Sequence, residues 1–118
     1  MNQFKNLLVW QKAVELAVEV YQVTASFPKE ELFGLTSQIR KSSTSVAFNI
    51  AEGAGRKSTK DFNHFLDIAL GSSCELETQL VISERLRFSD EIVKAGLTLK
   101  IEEIQKMING LQKSNSNK

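Results

Sequence analysis

The sequence predicts an all-α protein, an antiparallel up-down-up-down four-helix bundle folded as one domain. Three features carry this expectation. Four stretches repeat apolar residues at helical spacing. One Pro and six Gly among 118 residues leave too few breakers for a chain of many short strands. The connections between stretches are short, which makes successive helices antiparallel neighbours. Composition agrees: 42% hydrophobic and 25% charged residues suit a globular domain and are too apolar for a disordered chain.

The first helix is expected from about Leu7 to Ala25. Leu7, Trp10, Val14, Ala17 and Tyr21 form one apolar stripe, and Val9, Ala13, Leu16, Val20 and Val23 form a second, about 60–100° round the cylinder. Lys12, Glu15, Glu19 and Gln22 take the opposite side. The apolar arc is wider than a monomeric bundle needs. It fits either contact with a second chain or a deeply packed helix. Phe27-Pro28-Lys29-Glu30-Glu31 breaks the pattern, because proline ends a helix but tolerates the opening turn of the next. The second helix runs to about Ala54 on Leu32, Leu35, Ile39, Val46 and Ile50, with Gly34 able to interrupt its opening and Gly53 and Gly55 flanking its end.

Ser58 is expected to cap the third helix, with Asp61 three residues on and Phe62 opening the stripe Phe62, Leu66, Ala69, Leu76 and Leu80. Arg85 and Arg87 sit where cations complement the end of the helix dipole. Ser89 is expected to cap the fourth helix, with Phe88 and Val93 as a staple; Val93, Leu97, Ile101, Ile104, Ile108 and Leu111 carry its stripe. The domain is expected over residues 1–113, with 114–118 as a disordered tail.

The middle hairpin holds the informative residues. About a turn centred near Lys57, facing positions sum to about 114, so Ser42, Ser43 and Ser45 oppose Ala69, Gly71, Ser72 and Ser73. Small residues facing small residues predict a tight crossing, and a packing role would account for Gly71 inside a helix. The alternative is an ordinary Ser-rich polar face. Gln38, Ser42, Ser45, Asn49, Glu52 and Arg56 make a polar strip on helix two, answered by Ser72, Glu75 and Gln79 on helix three. Glu52 and Glu75 stand about 20 Å apart in level, too far for an acid/base dyad within one chain. The strip is read as a structural network or a binding surface.

Little else offers chemistry, and the chain is expected not to be an enzyme and to need no cofactor or metal. His64 and Asp67 alone are too few ligands for a metal. Cys74, the single cysteine, excludes an internal disulfide and a cysteine-based zinc site; it is expected to be a small core residue. Gly53-Ala54-Gly55-Arg56-Lys57-Ser58 lacks the spacing and preceding strand of a phosphate loop. No apolar run nears the roughly 20 residues that span a bilayer. Met1-Asn2-Gln3-Phe4-Lys5-Asn6 lacks a signal-peptide layout. A cytoplasmic location without membrane contact is expected.

Charge is uneven although the net is +1. Residues 40–60 hold five basic groups, Arg40, Lys41, Arg56, Lys57 and Lys60, against Glu52 alone, while the flanking segments are net negative. Arg40 and Arg56 lie about 24 Å apart along a helix, so these are two clusters. They are the candidate nucleic-acid contacts. One chain offers few phosphate contacts, and a ring of copies multiplies them. The alternative reading is a structural or protein-interaction scaffold whose basic clusters aid solubility.

The same residues carry a resemblance. Leu8-Val9-Trp10-Gln11-Lys12-Ala13, then Phe27-Pro28-Lys29-Glu30-Glu31, Gly34-Leu35-Thr36-Ser37-Gln38-Ile39-Arg40, Asn49-Ile50-Ala51-Glu52-Gly53 with Arg56, and the run from Phe65 through Gly71-Ser72-Ser73-Cys74-Glu75-Leu76 to Leu80 follow in order. Together they resemble the bacterial 23S ribosomal RNA intervening-sequence (S23) family over roughly residues 4–88. The resemblance implies a four-helix bundle that assembles into a ring-like homopentamer. Related accessory proteins of diversity-generating retroelements share that fold and bind nucleic acid and a reverse transcriptase through a basic surface. RNA, further copies of the chain and, in a retroelement, a reverse transcriptase are therefore the implied partners. The family name records a genomic location, so it supplies no activity.

Overall fold

Each periodic stretch forms one helix in the computed structural model, which describes residues 3–118: α1 (Leu8–Thr24), α2 (Leu35–Ala54), α3 (Thr59–Arg85) and α4 (Glu91–Ser116). Residues 1 and 2 of the expected domain lie outside the described residues. Short 3-10 turns, Phe4–Asn6 and Lys29–Glu31, precede α1 and α2. No strand occurs among the described residues.

Packing joins α1 to α2, α2 to α3, α3 to α4 and α4 back to α1, the square of an up-down-up-down bundle. Side-chain bonds fix three seams as antiparallel. Ser42 reaches Glu75 and Ser45 Ser72, Asp67 reaches Gln112 and Ser73 Gln105, and Lys12 pairs with Glu103 and Glu19 with Lys100. In each case the numbers rise on one helix as they fall on the other. Between α1 and α2 the short connection does the same, with Arg40 bonded to Thr24. The bundle measures 46 × 23 × 20 Å, as the roughly 40 Å length of 27-residue α3 requires.

The core is one cluster. Val9, Ala13, Leu16 and Val20 of α1 meet Ile39, Val46 and Ile50 of α2, Leu66, Leu76 and Leu80 of α3, and Leu97, Ile101, Ile104 and Ile108 of α4. The second stripe of α1 therefore faces inward. Its first stripe, buried Ala17 apart, lies at the margin, from half-buried Trp10 and Val14 to exposed Tyr21. Leu32, expected among the apolar positions of helix two, precedes α2 and is exposed.

Helix ends follow capping chemistry. Ser58 Oγ accepts from the Asp61 backbone N–H at 3.1 Å, as the sequence predicts. The cap of α4 is shifted by one residue from the expected Ser89. Asp90 Oδ1 accepts from the Val93 N–H at 2.7 Å, and the Ser89 hydroxyl is turned inward with no partner. The cause is how α3 ends. Arg87 sits in the left-handed region (φ 64), with Phe88 N–H donating to Ser83 O and Arg87 N–H to Glu84 O. This paired closure is the Schellman arrangement, usually built on glycine. It swings Phe88 onto the Phe27 ring, 5.7 Å between centroids.

Three expectations are corrected. The fourth helix does not stop at residue 113: it continues to Ser116 with Asn115 buried. Asn63 on α3 holds that end by donating to Gln112 O and Ser116 Oγ while accepting from Asn115 Nδ2 at 2.9 Å. Cys74 is exposed rather than in the core, because α3 turns Ser73 and Leu76 inward and Cys74 follows Ser73 about 100° round the helix. Gly71 has no packing role: a methyl group there meets nothing within 4 Å. The close approach is at Gly53, where an added Cβ falls 2.8 Å from Phe65 Cβ and 3.1 Å from Phe62 O.

Candidate nucleic-acid interface

The five candidate basic residues divide by what they already touch. Arg40 is bound within the fold. Its Nε donates to Thr24 Oγ1 at 2.9 Å, its Nη2 to Tyr21 O at 3.4 Å, and its guanidinium lies 4.7 Å from the Tyr21 ring centroid. A cation here satisfies carbonyl and hydroxyl acceptors at the end of α1 and complements that helix's dipole. Arg56 donates to Glu52 at 2.9 Å, one turn back, and covers the Phe65 ring at 4.6 Å. Lys41, Lys57 and Lys60 are exposed and have no ion pair among the described residues. Lys57 and Lys60 flank the α2–α3 turn, and Lys41 lies far up α2, so the charge is distributed as two clusters. Sequence spacing could not separate the tied arginines from the free lysines, because that depends on which aromatic ring and carbonyl each arginine meets.

The phosphate-loop segment is ordinary helix end. Gly53 and Ala54 belong to α2, Gly55 closes it with φ −82°, and the Ser58 hydroxyl is used as a cap. His64 is exposed with its ring edge-on to Phe65, and Asp67 accepts from Gln112 Nε2 at 2.7 Å.

The polar strip is a seam between α2 and α3. Ser42 Oγ donates to Glu75 Oε1 at 2.9 Å, Ser45 and Ser72 share a hydrogen bond of 2.9 Å, and Asn49 Nδ2 donates to Ser45 O and Oγ. Facing residues sum to 117 here, three more than the expected register, because the turn closes later than Lys57 as its centre would give. Ser43 and Ser73 are fully buried and return their hydroxyls to Arg40 O and Leu70 O. Small residues thus meet small residues at Ser45 and Ser72, as the sequence predicts, while Ser42 meets Glu75 and the tightest approach of the two helices is at Gly53. Thr36 Oγ1 of α2 and Gln79 Oε1 of α3 are buried without a partner among the described residues. Each such orphan costs about 1–3 kcal/mol. Gln38, Lys41, Ser42, Ser45, Glu75 and Gln79 line a groove of about 260 Å³.

A second groove, about 390 Å³, opens between α1 and α2 and differs in kind. Val14, Ala17, Val18, Tyr21, Ala47 and Phe48 line most of it. Phe48 is 68% exposed and Val18 52%. Phe33, in the loop before α2, is 95% exposed. Isolated exposed apolar residues are ordinary, but a lined groove of them is a surface that water covers poorly.

Comparisons with known proteins agree with this architecture. A family model described as 23S rRNA-intervening sequence protein matches residues 5–110. A solved structure of a protein of unknown function from the S23 ribosomal protein family of Bacteroides thetaiotaomicron VPI-5482 is similar at TM-score 0.81 and 28% identity, covering 90% of this chain and 99% of that one. No curated protein matches. Among the described residues no helix is long and apolar enough to cross a membrane.

Proposed function

The chain belongs to the family of 23S rRNA-intervening sequence proteins, and from that premise we propose that it is a non-enzymatic, oligomeric bundle that binds RNA in the cytoplasm. The observation that carries the reading is the pairing of two surfaces on one helix. The outward face of α2 contributes Phe48 to an uncovered apolar groove, and the same helix and its following turn carry Lys41, Lys57 and Lys60 without ion pairs. Copies that cover one another's α1–α2 grooves would array those lysines around a ring, five copies being the number the family resemblance implies. Arg40 and Arg56 then act chiefly by holding α2 and its turn in place, with the edge of Arg56 left to the ligand. Where the gene lies beside a reverse transcriptase, that enzyme is the protein partner of the same surface.

Repetition matters because phosphate contacts set both affinity and its salt dependence. Three lysines on one chain give a slope of about −2 in log K against log salt for single strands, and a ring engaging several copies gives a multiple of that. The test is light scattering together with a mobility shift of single-stranded RNA at two salt concentrations. The expected result is a multimer whose binding falls steeply with salt, and Lys41→Ala with Lys57→Ala and Lys60→Ala should abolish the shift while leaving the mass unchanged. The internal bonds of Arg40 and Arg56 favour a second reading, a protein-interaction scaffold. A stable multimer that shifts neither RNA nor DNA at low salt selects it.

A further inference from the structure

The last third of α4 carries a reactive pair of residues beneath a polar latch. Asn109 is the one asparagine in the chain that a glycine follows, and both Asn109 and Gly110 are exposed. Gly110 has no packing role: a methyl group built on it meets nothing within 4 Å, and an interior glycine only weakens its helix.

In an extended chain such a pair modifies itself. The Gly110 nitrogen attacks the Asn109 side-chain carbon Cγ, a C–N bond forms, and the Cγ–Nδ2 bond breaks. Ammonia leaves with the proton that the Gly110 nitrogen sheds. Water then opens the cyclic imide to aspartate or isoaspartate, so amide and water become acid and ammonia. Glycine favours the attack because no side chain shields its nitrogen. The folded helix opposes it. The helical ψ of Asn109 turns the Gly110 nitrogen away from Cγ, and the Gly110 N–H is committed to the helix ladder. The reaction waits on α4 unwinding at that point.

What holds that point is mostly polar. Ile108 is fully buried, but beyond it only half-buried Leu111 packs on the apolar core. The latch does the rest. Asn63 Nδ2 donates to Gln112 O and Ser116 Oγ, and Asn63 Oδ1 accepts from buried Asn115. Gln112 Nε2 donates in return to Asn63 O and Asp67 Oδ1. Unwinding that starts at the end of α4 breaks these bonds before it reaches Asn109.

We propose that Asn109–Gly110 is a gated deamidation site, closed while the Asn63 latch holds the end of α4 against α3 and open when that end unwinds. The inference is independent of RNA binding. Modification makes the opening permanent. Isoaspartate routes the chain through its side-chain carbon, and the added backbone atom interrupts the helix, so residues 111–116 lose their register with Asn63.

The test incubates the full chain at mildly alkaline pH and follows position 109 by peptide mapping, which separates asparagine, aspartate and isoaspartate. The folded chain should react at least about a hundredfold more slowly than the same chain in urea. Asn63→Ala should speed the folded reaction about tenfold, the factor given by losing one or two net hydrogen bonds. Gln112→Ala removes two latch bonds, leaves Asn115 in place and should speed it about threefold; it carries the comparison if Asn63→Ala does not fold. Val20→Ala weakens the core toward the other end of the bundle, where Glu19 meets Lys100, and should leave the rate unchanged. Gly110→Ala should suppress the reaction in every background. Equal rates in the parent chain and both latch variants overturn the proposal, because the latch is then not the gate. Equal acceleration by Val20→Ala overturns it as well, since whole-bundle unfolding then opens the site. So does a folded chain that reacts as fast as the chain in urea.

Discussion

The two grooves on either side of α2 are built from the same helix and satisfy opposite needs. On the α3 side, small side chains line the contact, and polar groups bond across it, Ser42 to Glu75 and Ser45 to Ser72, or back onto their own helix, as Ser43 and Ser73 do. On the α1 side, bulky apolar groups are left facing water at Val18, Tyr21 and Phe48. The polar seam thus belongs to the folded chain, because Ser42, Ser45, Ser72, Glu75 and Asn49 answer one another within it. The apolar groove is incomplete within one chain, because hydrophobic surface gains only when something covers it. Serine-rich helices are commonly taken for solvent faces and apolar ones for core; in this bundle the serines are inside and several large apolar groups are outside.

Four experiments test that contrast. The largest effect is expected at the apolar groove. Val18→Glu with Phe48→Glu should reduce the scattering mass to the 13.2 kDa of one chain while circular dichroism stays helical. An unchanged mass would show that this face does not join copies. Next is the seam at its closest point. Gly53→Ala should cost about 2–3 kcal/mol in urea unfolding, because Phe65 Cβ and the Phe62 carbonyl at 2.8 and 3.1 Å cannot swing aside as a flexible side-chain tip would. A neutral result would mean that α2 and α3 part easily. A smaller effect belongs to the bonds further along. A double-mutant cycle of Ser42→Ala and Glu75→Gln should return a coupling of about 0.5–1.5 kcal/mol, and additive single effects would remove that bond from the seam's stability. The smallest and opposite effect is Gly71→Ala, which should stabilise α3 by up to about 1 kcal/mol, since the new methyl meets only open space. Destabilisation there would restore the packing role that the structure denies it.

The cap at Ser58 and the buried stripes of α3 and α4 were legible in the sequence, because each depends on residues a few positions apart; the facing of small residues across α2 and α3 was legible only in outline, since its register is displaced by three and Gly71 takes no part. The candidate site was legible only in part. Its lysines and the Ser42–Glu75 strip could be named, but not that Arg40 is spent on Thr24 and Tyr21 or that Gln79 is buried without a donor.

The sequence by itself determined four helices, their order and their inward faces, since helical periodicity and capping are local properties of the chain. Only the tertiary structure decided which glycine is a contact, where α4 ends and which cations remain free. Each of these depends on a neighbour distant in sequence: Phe65 against Gly53, Asn63 against Asn115, and the Tyr21 ring beneath Arg40. A shift of a few residues in the α2–α3 register, such as the one found here, exchanges one such neighbour for another, and local spacing carries no record of it.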